Sequence, residues 1–165
     1  MDYTTNTTLY SPPAFPGMLA DIGFKDTITL PAATVIKFGT AVGFTGAAPA
    51  RKATNALGAA CIGIAMQDHT LGGGWNPNGP VDGYNQFDPV SVLKKGRIWV
   101  LAAGTCTEGA LAKFNAAGLA IDSGTALPGA RFVTGDYSFN SQITGIETQR
   151  LVQVELADPT VDAIA

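Results

Sequence analysis

Charge is scarce in this sequence. Only 14% of its 165 residues are Asp, Glu, Lys or Arg, against roughly 25% in an ordinary soluble domain. Ten cations and thirteen anions leave a net charge of −3, which excludes the basic field that nucleic acid or an anionic bilayer requires. Histidine is scarcer still. His69 is the only one, so a site with two or three imidazole ligands cannot form. The two cysteines, Cys61 and Cys106, lie far apart with no Cys-x-x-Cys. That excludes a disulfide scaffold and argues against structural zinc. They read as two small buried thiols, or as a pair if their strands are neighbours. No stretch offers 18 consecutive apolar residues, so no helix is expected to cross a bilayer. Met1 to Tyr10 holds no basic residue and no apolar stretch, so no secretory signal is expected there.

Catalytic motifs are missing as well. There is no Gly-x-Ser-x-Gly elbow. Leu71-Gly72-Gly73-Gly74 lacks the Lys and the Ser or Thr of a phosphate-binding loop. Asp68 beside His69 reads as a hydrogen-bonded loop pair. Asp82 and Asp88 fall in a loop with no apolar pocket to separate their pKa values, as paired carboxylate catalysis would need. The expectation is a protein that is not an enzyme and holds no cofactor or metal.

What the sequence does contain is small, turn-forming and alternating. Twenty Gly and ten Pro punctuate runs with a period of two. In Thr27-Ile28-Thr29-Leu30 the two apolar residues share a face. Ile36 and Phe38 point inward around Lys37, and Ile62, Ile64 and Met66 are expected on one face. Val152, Val154 and Leu156 oppose Gln153 and Glu155. Val90–Lys94 and Arg97–Leu101 flank Lys95-Gly96 and predict a β-hairpin, with Lys94, Lys95 and Arg97 as a solvated basic tip. Pro49 and Gly58 interrupt the alanine-rich stretch 47–60. Within residues 107–120, Glu108–Phe114 reads either as a short helix or as a strand, and strand is favoured because Gly109 and Gly118 bracket it. Pro128-Gly129 reads as a turn. These features predict a single all-β domain over residues 21–165, a β-sandwich or jelly-roll-like barrel.

Two segments stand outside that pattern. Residues 1–20 form an extended arm, because Pro12, Pro13 and Pro16 exclude helix. Its rings, Tyr3, Tyr10 and Phe15, must pack on their own domain or on a neighbour. Residues 67–88 form one long Gly-, Asn- and Pro-rich loop, and loops of that length are usually functional. Trp75, Tyr84 and Phe87 lie within it. Trp75, Asn76, Asn78 and Tyr84 would also suit a carbohydrate-binding loop, which is the alternative reading. Tyr3, Tyr10, Phe15, Trp75 and Tyr84 are the candidate contact residues.

Several phrases in order carry a resemblance. They are Pro16-Gly17-Met18-Leu19-Ala20-Asp21, Ile36-Lys37-Phe38-Gly39-Thr40-Ala41-Val42 and Ile62-Gly63-Ile64-Ala65. Then follow Val92-Leu93-Lys94-Lys95-Gly96-Arg97-Ile98-Trp99-Val100, Gly129-Ala130-Arg131-Phe132-Val133-Thr134-Gly135 and Leu151-Val152-Gln153-Val154-Glu155-Leu156. From about Pro16 to Leu156 the chain resembles the structural cement (head decoration) proteins of tailed bacteriophages. It departs from them at Glu108-Gly109-Ala110-Leu111, where the family often reads Gly-Asp-Pro-Val. The resemblance implies a virion protein made in the host cytoplasm that binds the outer surface of the expanded capsid. Its partners would be the major capsid protein and itself, as a dimer or trimer, with no nucleic acid and no membrane.

Overall fold

The computed structural model describes residues 14–21, 23, 25–55, 61–68, 82–140 and 148–157. Among these there is no helix, and the all-β expectation holds. The strands are β1 (Asp26–Pro31), β2 (Ile36–Lys37), β3 (Ala41–Thr45), β4 (Lys52–Thr54) and β5 (Cys61–Ala65). They continue with β6 (Gly83–Tyr84), β7 (Pro89–Leu101), β8 (Leu111–Phe114), β9 (Thr125–Phe132), β10 (Tyr137–Asn140) and β11 (Thr148–Ala157). One antiparallel sheet runs β4-β3-β5-β7-β11-β9-β8, with β1 also paired to β7 and β10 to β11. β2 and β6 form a second, two-stranded sheet. Among the described residues the pairings give one curled antiparallel sheet, a half-barrel, with the small β2–β6 sheet beside it.

Curling brings the far end of the sheet back toward its beginning. After β8 the chain turns at Asn115–Gly118, and the Ala41 N–H of β3 donates to Gly118 O at 2.8 Å. Ala120 N–H donates to Leu101 O at 2.9 Å, and Ala103 N–H donates to Ala120 O at 2.9 Å. Apolar side chains fill both faces. Ala41/Val42, Ile64/Ala65 and Val92/Leu93 are consecutive pairs whose members fall into different buried clusters. Alternation along a strand puts such neighbours on opposite faces. One cluster, inside the curl, gathers Ile98, Val100, Phe114, Leu127, Phe132, Val152, Val154 and Leu156. The other packs Ile36, Phe38, Val42, Ile62, Tyr84, Val90 and Val92 between the sheet and the β2–β6 pair.

Three local expectations are corrected. Residues 90–101 are not a hairpin but part of the single 13-residue strand β7. The strand nevertheless cannot be straight. At about 3.3 Å per residue, Val92 and Leu101 would lie about 30 Å apart. Val92 pairs with Ala65, Gly39 N–H donates to Ala65 O, and Leu101 N–H donates to Gly39 O. Those three steps of about 5 Å each bound the separation near 15 Å. The glycine read as a turn residue is a bend: Gly96 has φ +127°, a value that other residues rarely adopt.

In β5 the register steps from Val42↔Gly63 to Gly43↔Cys61, so Ile62 is an extra residue in a β-bulge. The bulge turns Ile62 away from the face that Ile64 and Met66 share. Pro128-Gly129 is likewise not a turn. It lies inside β9, where the pairing jumps from Lys113↔Ala126 to Leu111↔Arg131. A bulge is where a sheet tolerates proline. The other periodicities hold: Ile36, Phe38, Val152, Val154 and Leu156 are buried, and Lys37 and Glu155 are exposed.

Candidate capsid-contact surface

The described end of the arm, residues 14–20, is docked on its own domain. Gly17 N–H donates to Trp99 O at 2.8 Å, Trp99 N–H to Met18 O at 2.9 Å, and Ala20 N–H to Arg97 O at 2.9 Å. The arm thus lies along the second half of β7, as β1 lies along the first. On its other side Gln67 N–H donates to Gly17 O at 2.8 Å. Gly17 is required there. Its φ is +78°, and an added Cβ would sit 2.6 Å from Gln67 N and 3.0 Å from Gly39 N. Ala14 is buried, whereas the Phe15 ring beside it is 53% exposed. Tyr3 and Tyr10 lie outside the described residues.

Of the 67–88 loop, residues 69–81 are outside the described set, and Trp75 with them. Residues 82–88 are held by the β2–β6 pairing and by hydrogen bonds that are mostly backbone to backbone. Asn85 N–H donates to Asp88 Oδ2 at 2.8 Å, and Asp88 N–H to Asn85 O at 3.1 Å. Phe87 N–H donates to Ala32 O, and Ala32 N–H to Asp88 O, both at 2.9 Å. Within this frame the two loop aromatics, Tyr84 and Phe87, are placed oppositely. Tyr84, expected at the contact surface, is a fully buried core side chain. Its ring meets Phe38 edge-on at 5.1 Å. Its hydroxyl donates to Met66 O at 2.7 Å and accepts from Ser91 N–H at 3.4 Å. A buried hydroxyl needs such partners, and burial pushes its pKa up. A sugar-binding loop built on Trp75 and Tyr84 loses Tyr84 as a stacking face.

Phe87 is the exposed ring. It is 66% exposed and sits at φ +75°, a region seldom occupied by a bulky side chain. The ammonium of Lys52 lies 5.4 Å from its centroid, and the guanidinium of Arg51 lies 5.1 Å from that of Phe44. Nearby, Asn55 Nδ2 donates to Val35 O at 3.2 Å, holding the 47% exposed Val35 beside β4. The sequence signal for Phe87 was a large apolar residue between two turn formers, Asn85 and Asp88.

The charges of β7 are spent across strands. Lys94 Nζ is 3.8 Å from Asp26 Oδ2, and Arg97 is 3.5 Å from Glu155. Such surface pairs contribute little stability and leave Lys95 exposed on the strand. Both cysteines are free thiols. Burial pushes Cys61 up to about 11. Burial, with Asp122 and Asp136 nearby, pushes Cys106 up to about 12. Neither thiol is poised for nucleophilic chemistry. Among the described residues no cluster of three or more His, Cys, Asp or Glu could hold a metal ion.

The described residues form an all-β module whose exposed rings include Phe15, on the docked arm, and Phe87, on the braced turn. The chain matches the structural cement protein family (E217 gp24/Pam3 gp6) over residues 3–157 and belongs to it. It is a structural protein of the phage virion, associated with the capsid. Among solved structures it is similar to the head fiber gp8.5 N base of bacteriophage phi29. That similarity has 11% sequence identity and a TM-score of 0.41, covering 82% of this chain and 96% of the other. No curated protein matches it.

Proposed function

We propose that this protein binds the outer surface of the expanded capsid and braces contacts between major capsid subunits. In this reading it acts as a homo-oligomer on local symmetry axes of the shell. Membership of the cement family across residues 3–157 carries the reading. The physical mechanism is linkage: a ligand that prefers the mature shell lowers the free energy of that state. Repetition over the shell supplies avidity, so each interface can be modest in area. The low charge of the chain suits such packing, because charged residues are depleted at the centre of interfaces.

The contacts are assigned to the arm, through Tyr3, Tyr10 and Phe15, and to the loop, through Trp75. Tyr84 supports the loop from within the core and does not touch the partner. The test is to delete residues 1–13, leaving the docked stretch intact, and measure occupancy on empty expanded heads by co-sedimentation. Weakened occupancy with an unchanged melting temperature is expected. Full occupancy would remove the arm from the interface.

A further inference from the structure

We infer that Phe87, flanked by Lys52, is an anchor that enters an apolar socket rimmed by carboxylates on the capsid subunit. This inference rests on the capsid-binding reading above and names a contact within it. A large ring is costly both in the left-handed backbone region and in water. Phe87 has both conditions at once, with φ +75° and 66% exposure. The turn holds it there through four hydrogen bonds, two across the Asn85–Asp88 turn and two to Ala32. Strain of this kind persists where the surroundings over-determine it, and it concentrates at binding and switching sites.

Charge decides what the ring would meet. Lys52 and Arg51 are adjacent, and each lies over an aromatic ring. Neither forms an ion pair among the described residues. They form a local positive edge on a chain whose net charge is −3. The complement of a protruding ring beside two cations that form no ion pair among the described residues is a hydrophobic pocket with acidic residues at its lip. A central aromatic ringed by polar contacts is the usual arrangement of an energetic anchor.

The experiment compares wild type, Phe87→Gly and Lys52→Glu on empty expanded heads, with melting temperature and oligomeric state measured in parallel. Glycine accepts the left-handed backbone, so Phe87→Gly should melt within a few degrees of wild type. It should nonetheless bind heads at least about tenfold more weakly. Lys52→Glu should weaken binding and flatten its salt dependence. Wild-type affinity in Phe87→Gly would overturn the inference. So would a change of oligomeric state with head binding retained, since the ring would then join copies of this chain. Failure of the wild type itself to bind heads would instead sink the capsid-binding reading on which the anchor depends.

Discussion

At the scale of single residues, burial decides chemistry. The Cys61 and Cys106 thiols sit in or against the inner core cluster, and their pKa values of about 11 and about 12 exceed the ordinary value of 9.0. The folded chain keeps these protons after the unfolded chain has lost them. Their contribution to stability is therefore whole below pH 9 and is lost as pH rises from 9 through 11 to 12. Urea midpoints should fall across that window, and less so in a Cys61→Ala/Cys106→Ala double variant. At pH 8 a thiol reagent should label the native chain slowly and the urea-unfolded chain at once. Rapid native labelling of Cys106 would contradict its buried placement. Tyr84 is a second residue whose role follows from its surroundings. Tyr84→Phe deprives Met66 O and Ser91 N–H of the hydroxyl, and should cost about 1 kcal/mol in denaturant unfolding.

At the scale of elements, the central feature is the bend of β7. It lets one strand carry β1 and β5 on its first half and β11 with the docked arm on its second. Gly96→Val places a branched side chain at φ +127° and should destabilise by about 1–3 kcal/mol. Circular dichroism in urea would read this, and a neutral result would remove strain from the account of the bend. Ile98→Ala, in the inner core, should cost about 2–5 kcal/mol.

The same element shows how much was legible beforehand. Val90-Ser91-Val92 and Ile98-Trp99-Val100 announce β structure through their alternation, and Lys95-Gly96 announces a departure from straight extension. Whether such a glycine reverses the chain or merely bends it depends on which distant strands pair with its flanks. That is decided by Ala65 and Gly39, far away in sequence. The bulges at Ile62 and Pro128-Gly129 escape for the same reason: they are defined by a partner's register. Within β2 and β11, where no bulge intervenes, the faces were readable directly. Tyr84 and Phe87 were both visible as loop aromatics. Their opposite fates follow from the pairing of Ile36 with Tyr84 and the tie between Phe87 and Ala32, which no local pattern encodes.

At the scale of the whole molecule, the described end of the arm, residues 14–20, is tied to the curled sheet through Gly17. A Gly17→Ala variant would drive its Cβ to 2.6 Å from Gln67 N. It should free residues 14–20 from β7, which hydrogen exchange at Trp99 and Ala20 would report as lost protection. An unchanged exchange pattern would show that the arm docks by other contacts. In the proposed bracing role, that anchoring would supply a fixed attachment point between shell subunits. Thermal rupture of expanded heads, followed by the fluorescence of a dye that stains released DNA, tests the bracing role directly. Saturating wild-type protein should raise the rupture temperature, and the increase should track occupancy. Heads that carry the protein at full occupancy and still break at the temperature of bare heads would contradict the account.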